Sequence, residues 1–404
     1  MTSTSIALWY KARKEERLAR QFDPRPIELR SDEVLVGVTG LIGNTPLIRI
    51  NSLSDALGVE ILGKAECIPV IDDAETQGLL KPHTGSRIFE GTVGSTGISI
   101  ATIARARGYD ATIIMPDDVA EEKVKALLAL GADVERVRPA SIVDKKQYVN
   151  LARERAIAFG KSLPSSRPHL LPTASESIIV STAEDEDTMR YNDHDEEPDY
   201  RPRGFFADQF ENRSNHDAHF EGTGPEIWRQ TNGHIHAFVS GAGTGGTIAG
   251  IGRFIKSKNE DIQVVLCDPE GSGLYNKVKF DVMFDPKESE GKKRRHQVDT
   301  VVEGIGINRL TKNIQLALPI IDDAFRITDA EAVAMSRYLV NHDGLFLGSS
   351  SACNLVACIK LVKKMGWKDG QRIVTILNEE YLQKAGIPHG QSIVEDLLAK
   401  TPEN

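Results

Sequence analysis

From Val34 onward, short apolar runs alternate with stretches whose apolar residues recur at three- and four-residue spacing, the pattern of strands interleaved with amphipathic helices. Val59–Glu66 alternates as a strand, and Ile71–Leu80 reads as a short helix. Ser86–Glu90 is a strand, Ile98–Arg107 a helix, Asp110–Met115 a buried strand, Glu121–Leu130 a helix, Asp133–Val137 a strand and Lys146–Phe159 a helix. The pattern resumes at Gly204–Phe210. It continues through a helix at Gly224–Gln230, strands around His236–Ser240 and Ile262–Asp268, a helix at Asp329–Asn341, a strand-like Gly344–Leu347, a helix headed by Gly348–Ala352 and a last strand at Arg372–Leu377. Repeated strand-helix-strand units predict parallel sheets covered by helices, an α/β class.

Composition sets the domain plan. A chain of 404 residues with 40% hydrophobic content buries two lobes and leaves tails outside them. The plan expected is an extension at 1–33, a mainly N-terminal lobe at 34–159, a disordered acidic insertion at 160–203, a C-terminal lobe at 204–377 and a tail at 378–404. The insertion is read from Glu184–Asp187 and Asp193–Asp199 among Ser, Thr, Pro and Arg. The basic, polar run Lys287–Gln297 reads as a loop. A net charge of −9 and a pI near 5.7 argue against nucleic acid or an anionic membrane as partner. No apolar run approaches a membrane span. Cys67, Cys267, Cys353 and Cys358 are too scattered for a disulfide framework or a zinc site and fit a reducing compartment. Residues 5–22 carry Lys11, Arg13, Lys14, Arg17 and Arg20, but Glu15 and Glu16 weaken a targeting helix, and a solvated helix is the simpler reading.

Candidate chemistry lies in two glycine loops. In the first, the strand ending at Ser240 breaks into Gly241, Gly243, Gly245 and Gly246 before a helical pattern, with Thr244 and Thr247 between. Absent side chains let backbone N–H groups close on an anion at the positive end of a helix. The second, Gly91–Gly97, follows a strand in the same way and offers Thr92, Ser95 and Thr96 hydroxyls, a form suited to a carboxylate or phosphate. Two ligands fit the first loop. Gly241, Gly243 and Gly246 match G-x-G-x-x-G, with Asp268 at the end of the next strand as a ribose acid, so a nicotinamide dinucleotide and hydride transfer are one reading. A single phosphate paired with a carboxylate at the upstream loop is the other.

Several ordered motifs carry a resemblance: Gly43-Asn44-Thr45-Pro46-Leu47, Gly91–Gly97, Gln209–Asn212, Gly222–Trp228, Gly243–Thr247 and Glu303–Gly306. Together they are similar to the cysteine synthase family, the β-family or fold type II of pyridoxal-phosphate enzymes, from Val34 to Leu377 apart from the acidic insertion. Within it the chain looks most like a fungal mitochondrial branch, which implies a mitochondrial address, the cytoplasm being the alternative. The resemblance implies two three-layer α/β lobes with central, largely parallel sheets and a cofactor cleft at the carboxyl ends of the strands. It implies that Gly243, Thr244, Gly245, Gly246 and Thr247 cradle the cofactor phosphate. Thr92, Gly94, Ser95, Thr96 and Gly97 match the loop for the substrate α-carboxylate, Gln209 a further substrate contact, and Gly304 a loop beside the cofactor ring. Ser95 stands where the family usually has Asn, whose amide meets the cofactor's phenolic oxygen; it keeps a donor but shortens the reach. The family's reaction is β-replacement, O-acetylserine plus sulfide giving cysteine plus acetate. A small amino-acid substrate and a homodimer are the partners implied.

Two departures stand against that pattern. After the strand containing Lys64, the family carries Asn-Pro-Gly-Gly-Ser-x-Lys-Asp-Arg, whose lysine holds the cofactor as a Schiff base. This chain passes from Glu66 directly to Cys67-Ile68-Pro69, and no lysine lies between Lys64 and Lys81. Covalent attachment at the usual lysine is therefore excluded, and no catalytic residue is assigned. The acidic-Ser-Gly turn expected after Leu377, whose serine meets the cofactor's ring nitrogen, is replaced by Asn378-Glu379-Glu380. Losses that cut into the site and spare the scaffold point to coding segments missing from this sequence. A non-catalytic paralogue that binds a ligand or partner is the second reading.

Overall fold

The structure, a computed structural model, describes residues 44–65, 71, 74–75, 77–92, 95–119, 121–140, 144–160, 168–171, 173, 178–183, 202–285, 300–345, 347–377 and 391–399. All belong to the unit Leu41–Asn404. Strand β1 (Leu47–Arg49), helix α1 (Asn51–Leu57) and β2 (Glu60–Ala65) come first. Then follow β3 (Arg87–Gly91), α2 (Ser95–Arg107), β4 (Asp110–Pro116), α3 (Glu121–Ala129), β5 (Asp133–Val137) and α4 (Tyr148–Phe159). β6 (Pro168–Leu170), β7 (Ile179–Ala183) and β8 (Arg203–Phe206) lead to α5 (Ser214–Ala218), a π-helical turn at His219–Thr223 and α6 (Gly224–Gln230). The remainder is β9 (Ala237–Gly241), α7 (Gly246–Lys258), β10 (Gln263–Pro269), α8 (Leu274–Phe280), α9 (Lys312–Ala317), β11 (Asp323–Ile327), α10 (Asp329–Asp343), α11 (Ser349–Met365), β12 (Arg372–Leu377) and α12 (Gln391–Ala399).

Two six-stranded sheets result. One runs β1-β2-β12-β9-β10-β11, parallel except for β1; the other runs β5-β4-β3-β8-β7-β6, parallel from β5 to β8. Each is the middle of three layers. Leu53, Met335, Leu355 and Val394 cover one face of the first sheet, and Ile227, Ile248, Ile251, Ile255 and Ile314 the other. On the second sheet, Ile100, Ala104, Val124 and Leu127 from α2 and α3 lie opposite Val149, Ala152 and Ala156 from α4. Ile248, Ile251 and Ile255 sit at helical spacing and are fully buried, each stabilising the fold by about 2–3 kcal/mol of transferred side chain. Thr328 and Glu331 form a reciprocal capping box that starts α10, and Gly344, at φ 67°, ends it.

The structure corrects three expectations and adds one strand. The lobes are not sequential blocks: β1 and β2 join the sheet of the C-terminal half, and β8 joins the sheet of the N-terminal half. The run 160–203 is ordered in part, because Ile178, Ile179 and Val180 are buried and β7 pairs antiparallel with β8. A composition dominated by the acidic runs hid this apolar triplet, and those runs lie outside the described residues. The strand reading of Gly344–Leu347 fails at its start, since Gly344 takes the left-handed conformation at the end of α10 and Leu345 N–H bonds back to the Leu339 carbonyl (3.3 Å). Strand β11 went unread, its apolar residues interrupted by Asp323 and Arg326, although it closes one edge of the first sheet. Among the described residues no helix is long and apolar enough to cross a membrane.

Candidate functional site

Both glycine loops leave the carboxyl ends of parallel strands and enter helices, β3 into α2 and β9 into α7. Gly245 caps α7 with φ 91°, a backbone that side-chain-bearing residues rarely adopt. A Cβ on Gly243 would collide with the Gly304 carbonyl oxygen. The cradle is thus closed by backbone on one side and opens to the first-turn amides of α7, which no intrahelical carbonyl can reach. Gly306 N–H donates to the Ala242 carbonyl (2.8 Å), so the Glu303–Gly306 loop is fastened to the cradle strand. Ser349, in the first turn of α11, accepts from Glu303 N–H (3.0 Å) and fixes the other end of that loop.

The side chains around the cradle come from distant parts of the chain. Asn215 Nδ2 donates to Thr244 Oγ1 (2.9 Å) and to the Gln209 carbonyl (2.9 Å). Thr311 Oγ1 donates to the Thr244 carbonyl (2.7 Å). His219 lies between two hydroxyls, Thr223 Oγ1 at 3.0 Å from Nδ1 and Thr247 Oγ1 at 3.1 Å from Nε2. Burial, and then His216 nearby, lower the His219 pKa to about 4, so the ring is neutral near pH 7. A phosphate bound here would accept hydrogen bonds only, so Thr247 would have to turn its own proton toward it. In that case Nε2–H would donate to Thr247 and Nδ1 would accept from Thr223. Asn354, buried on α11, accepts from Gly241 N–H (2.7 Å) and donates to the Ile376 carbonyl (3.0 Å), which pins the ends of β9 and β12 together.

The carboxylate loop is described at Thr92, Thr96 and Gly97; Gly94 lies outside the described residues, and Ser95 is described only as the first residue of α2. Thr92 is buried, and a Cβ on Gly97 would lie 2.8 Å from its methyl carbon. Gln209 Nε2 donates to the Gly91 carbonyl (3.3 Å). Gly91, Gln209, Asn215 and Thr244 therefore form one hydrogen-bonded chain that couples the two glycine loops. Asn215, His219, Thr311 and Asn354 were not singled out by sequence, because each acts across a gap of many residues with no local motif.

Glu303 also pairs with Lys123 of α3, joining the loop beside the cradle to the helix layer of the other sheet. The two side chains are 14% and 29% exposed for Lys123 and Glu303 respectively, so solvent screens the pair only in part. Lys123→Ala is expected to lower stability by less than about 1 kcal/mol. It should weaken cofactor binding a few-fold at low salt, a difference that closes at high salt, as a cofactor titration at two ionic strengths would register.

The residues present fit a phosphate group: a cradle that a Cβ would fill at Gly243, a left-handed Gly245 and the Thr247 hydroxyl within hydrogen-bond distance of His219. They do not fit the dinucleotide reading. Asp268 is fully buried, with Oδ2 accepting from Tyr275 N–H (2.7 Å), so it cannot reach a ribose. Lys64 is likewise committed, its Nζ bonded to Glu226 Oε2 (2.5 Å), the Thr45 carbonyl (2.7 Å) and Gln230 Oε1 (3.2 Å). The segments at which the resemblance leads one to expect the lysine and serine motifs, 66–70 and 378–390, lie outside the described residues.

Residues 38–379 match the family described as pyridoxal-phosphate dependent enzyme. Cysteine synthase 2 of Emericella nidulans is 50% identical over 359 residues, covering 86% of this chain and 77% of its own. Cysteine synthase 2 of Schizosaccharomyces pombe is 48% identical over 380 residues, covering 88% and 87%. The crystal structure of O-ureido-L-serine synthase shares the fold, with a TM-score of 0.65 at 23% identity over 90% of this chain and 99% of that one. The fold and these relatives agree, and the chain belongs to the pyridoxal-phosphate dependent enzyme family as a cysteine synthase-like member with pyridoxal phosphate as its cofactor.

Proposed function

We propose that this scaffold serves β-replacement on a small amino acid, with O-acetylserine and sulfide giving cysteine and acetate. The observation that carries the reading is the hydrogen-bonded chain Gly91–Gln209–Asn215–Thr244, which holds a carboxylate loop and a phosphate cradle in one frame. The cofactor, when bound, supplies the electron sink that makes an amino acid's α-proton acidic. The chain's own residues do the rest of the binding. Gly243–Thr247 hold the phosphate, Thr92, Ser95, Thr96 and Gln209 take the substrate carboxylate, and Gly304 borders the ring. A mitochondrial address for this activity follows the fungal branch that the sequence resembles.

The proposal for this chain as it stands is cofactor and ligand binding without turnover. No lysine stands between Lys64 and Lys81, and Lys64 is held by Glu226. Turnover belongs to a form that carries the lysine segment after Glu66. In a melting assay the purified chain should be stabilised by pyridoxal phosphate and not by NAD, and should release no acetate from O-acetylserine. Restoring Asn-Pro-Gly-Gly-Ser-x-Lys-Asp-Arg after Glu66 should bring acetate release and cysteine formation with sulfide. Cysteine made at a normal rate by the unmodified chain would end the inactive reading, and stabilisation by NAD alone would end the reading of the cradle.

A further inference from the structure

Glu90, next to last in β3, is 0% exposed and stands two residues before Thr92. Its Oε1 accepts from Gly91 N–H (3.1 Å), while the Gly91 carbonyl accepts from Gln209 Nε2 (3.3 Å). The Gly91 peptide is therefore gripped at both ends, immediately before the carboxylate loop. Oε2 is buried and has no hydrogen-bond partner among the described residues. A charged oxygen without a donor is the costliest arrangement for a buried group, so the site favours the uncharged carboxyl. We propose that Glu90 is a positioning residue whose uncharged carboxyl locks the Gly91 peptide against Gln209 in the geometry that an amino-acid carboxylate requires.

The surroundings favour the uncharged form. Burial, and then the Asp208 carboxylate, push Glu90 well above the ordinary glutamate range, against the opposing pull of the Gly91 amide on Oε1 and of the nearby Gln209 and Asp208 amides, none of which completes a hydrogen bond to Oε2. Among the described residues, the charged group that acts most strongly on Glu90 is Asp208, at the exit of β8. It is itself raised to about 6 by burial and by Glu211, with Arg309 before α9 and Arg153 of α4 opposing. Both carboxyls hold their protons to higher pH than ordinary acidic side chains do, and an ionised Asp208 makes ionising Glu90 costlier still. A charge on Glu90 would then repel both Asp208 and the incoming carboxylate.

The inference rests on reading Thr92–Gly97 as the carboxylate loop, and the test separates the two. L-serine is titrated calorimetrically into the pyridoxal-phosphate-saturated chain from mildly acidic to alkaline pH. Affinity should fall with rising pH by up to about tenfold per pH unit once Glu90 ionises. In Glu90→Gln, which keeps an acceptor for Gly91 N–H, that fall should vanish. In Asp208→Asn, whose residue tolerates the native φ of 47°, the fall should begin at lower pH because the repelling charge is gone. A merely structural Glu90 would instead shift affinity equally at every pH. Identical profiles in wild type and Glu90→Gln, or an unmoved onset in Asp208→Asn, would overturn the inference while leaving the site intact. No cofactor or L-serine binding at any pH would overturn the reading of the site and this inference with it.

Discussion

Gly245→Ala should abolish useful cofactor binding, raising the dissociation constant of pyridoxal phosphate by about 100-fold or more, which corresponds to about 2.7 kcal/mol. Two effects combine. At φ 91° an alanine is strained by about 1–3 kcal/mol. Its Cβ would also lie 2.7 Å from both N and Cα of Ile314, a backbone contact that no rotamer change relieves. Ile314 cannot retreat, because Thr311 Oγ1 accepts its N–H (3.0 Å) and neighbouring Asn313 Nδ2 donates to the Phe210 and Asn212 carbonyls (3.1 Å each). The loop must move instead, and its amides leave the positions that face the phosphate. Melting temperature and a cofactor titration check this. Gly222→Ala is the control: a Cβ there meets nothing within 4 Å, and the effect should stay within about 0.5 kcal/mol. Ordinary affinity in Gly245→Ala would reduce the loop to a connection.

The strand-to-helix glycine loops were legible in sequence because their geometry is local. Glycines after an apolar run and before a helical period can be recognised without knowing what lies around them, and the same holds for Thr92–Gly97. What holds these loops in place was not legible. Asn215 lies 29 positions from Thr244 and Asn354 lies 113 from Gly241, and nothing in either residue's neighbours marks it as a clamp. Strand order was hidden for a related reason. Periodicity identifies β2 as a strand, but only the packed structure pairs it with β12, placing Lys64 opposite Ile376 across the whole length of the chain. Asp268 shows the converse risk. Its spacing from the glycines satisfied a dinucleotide fingerprint, yet burial removes it from any ligand.

That same burial gives Asp268 a measurable consequence, because Asp268→Asn should stabilise the protein at neutral and alkaline pH. Desolvation raises its pKa to about 7, against the opposing pull of Ser272, the Tyr275 amide and Arg326, and Oδ1 finds no partner among the described residues. The sign follows from proton counting. Between the ordinary aspartate range and about pH 7 the unfolded chain has released this proton and the folded chain keeps it, so stability falls as pH rises through that window and levels off above it. Asp208, raised to about 6, and Glu90 act in the same direction. His219, lowered to about 4, acts against them by favouring the folded state as pH rises from about 4 to the ordinary histidine range. With three groups against one, melting temperature should decline from mildly acidic to neutral pH. An asparagine at 268 keeps an oxygen for Tyr275 N–H and carries no charge to desolvate. It should therefore gain about 1–3 kcal/mol above pH 7, little below pH 5, and flatten the upper part of the decline. A variant whose curve runs parallel to that of the wild type at all pH values would show that Asp268 keeps its charge in the core, satisfied by Arg326.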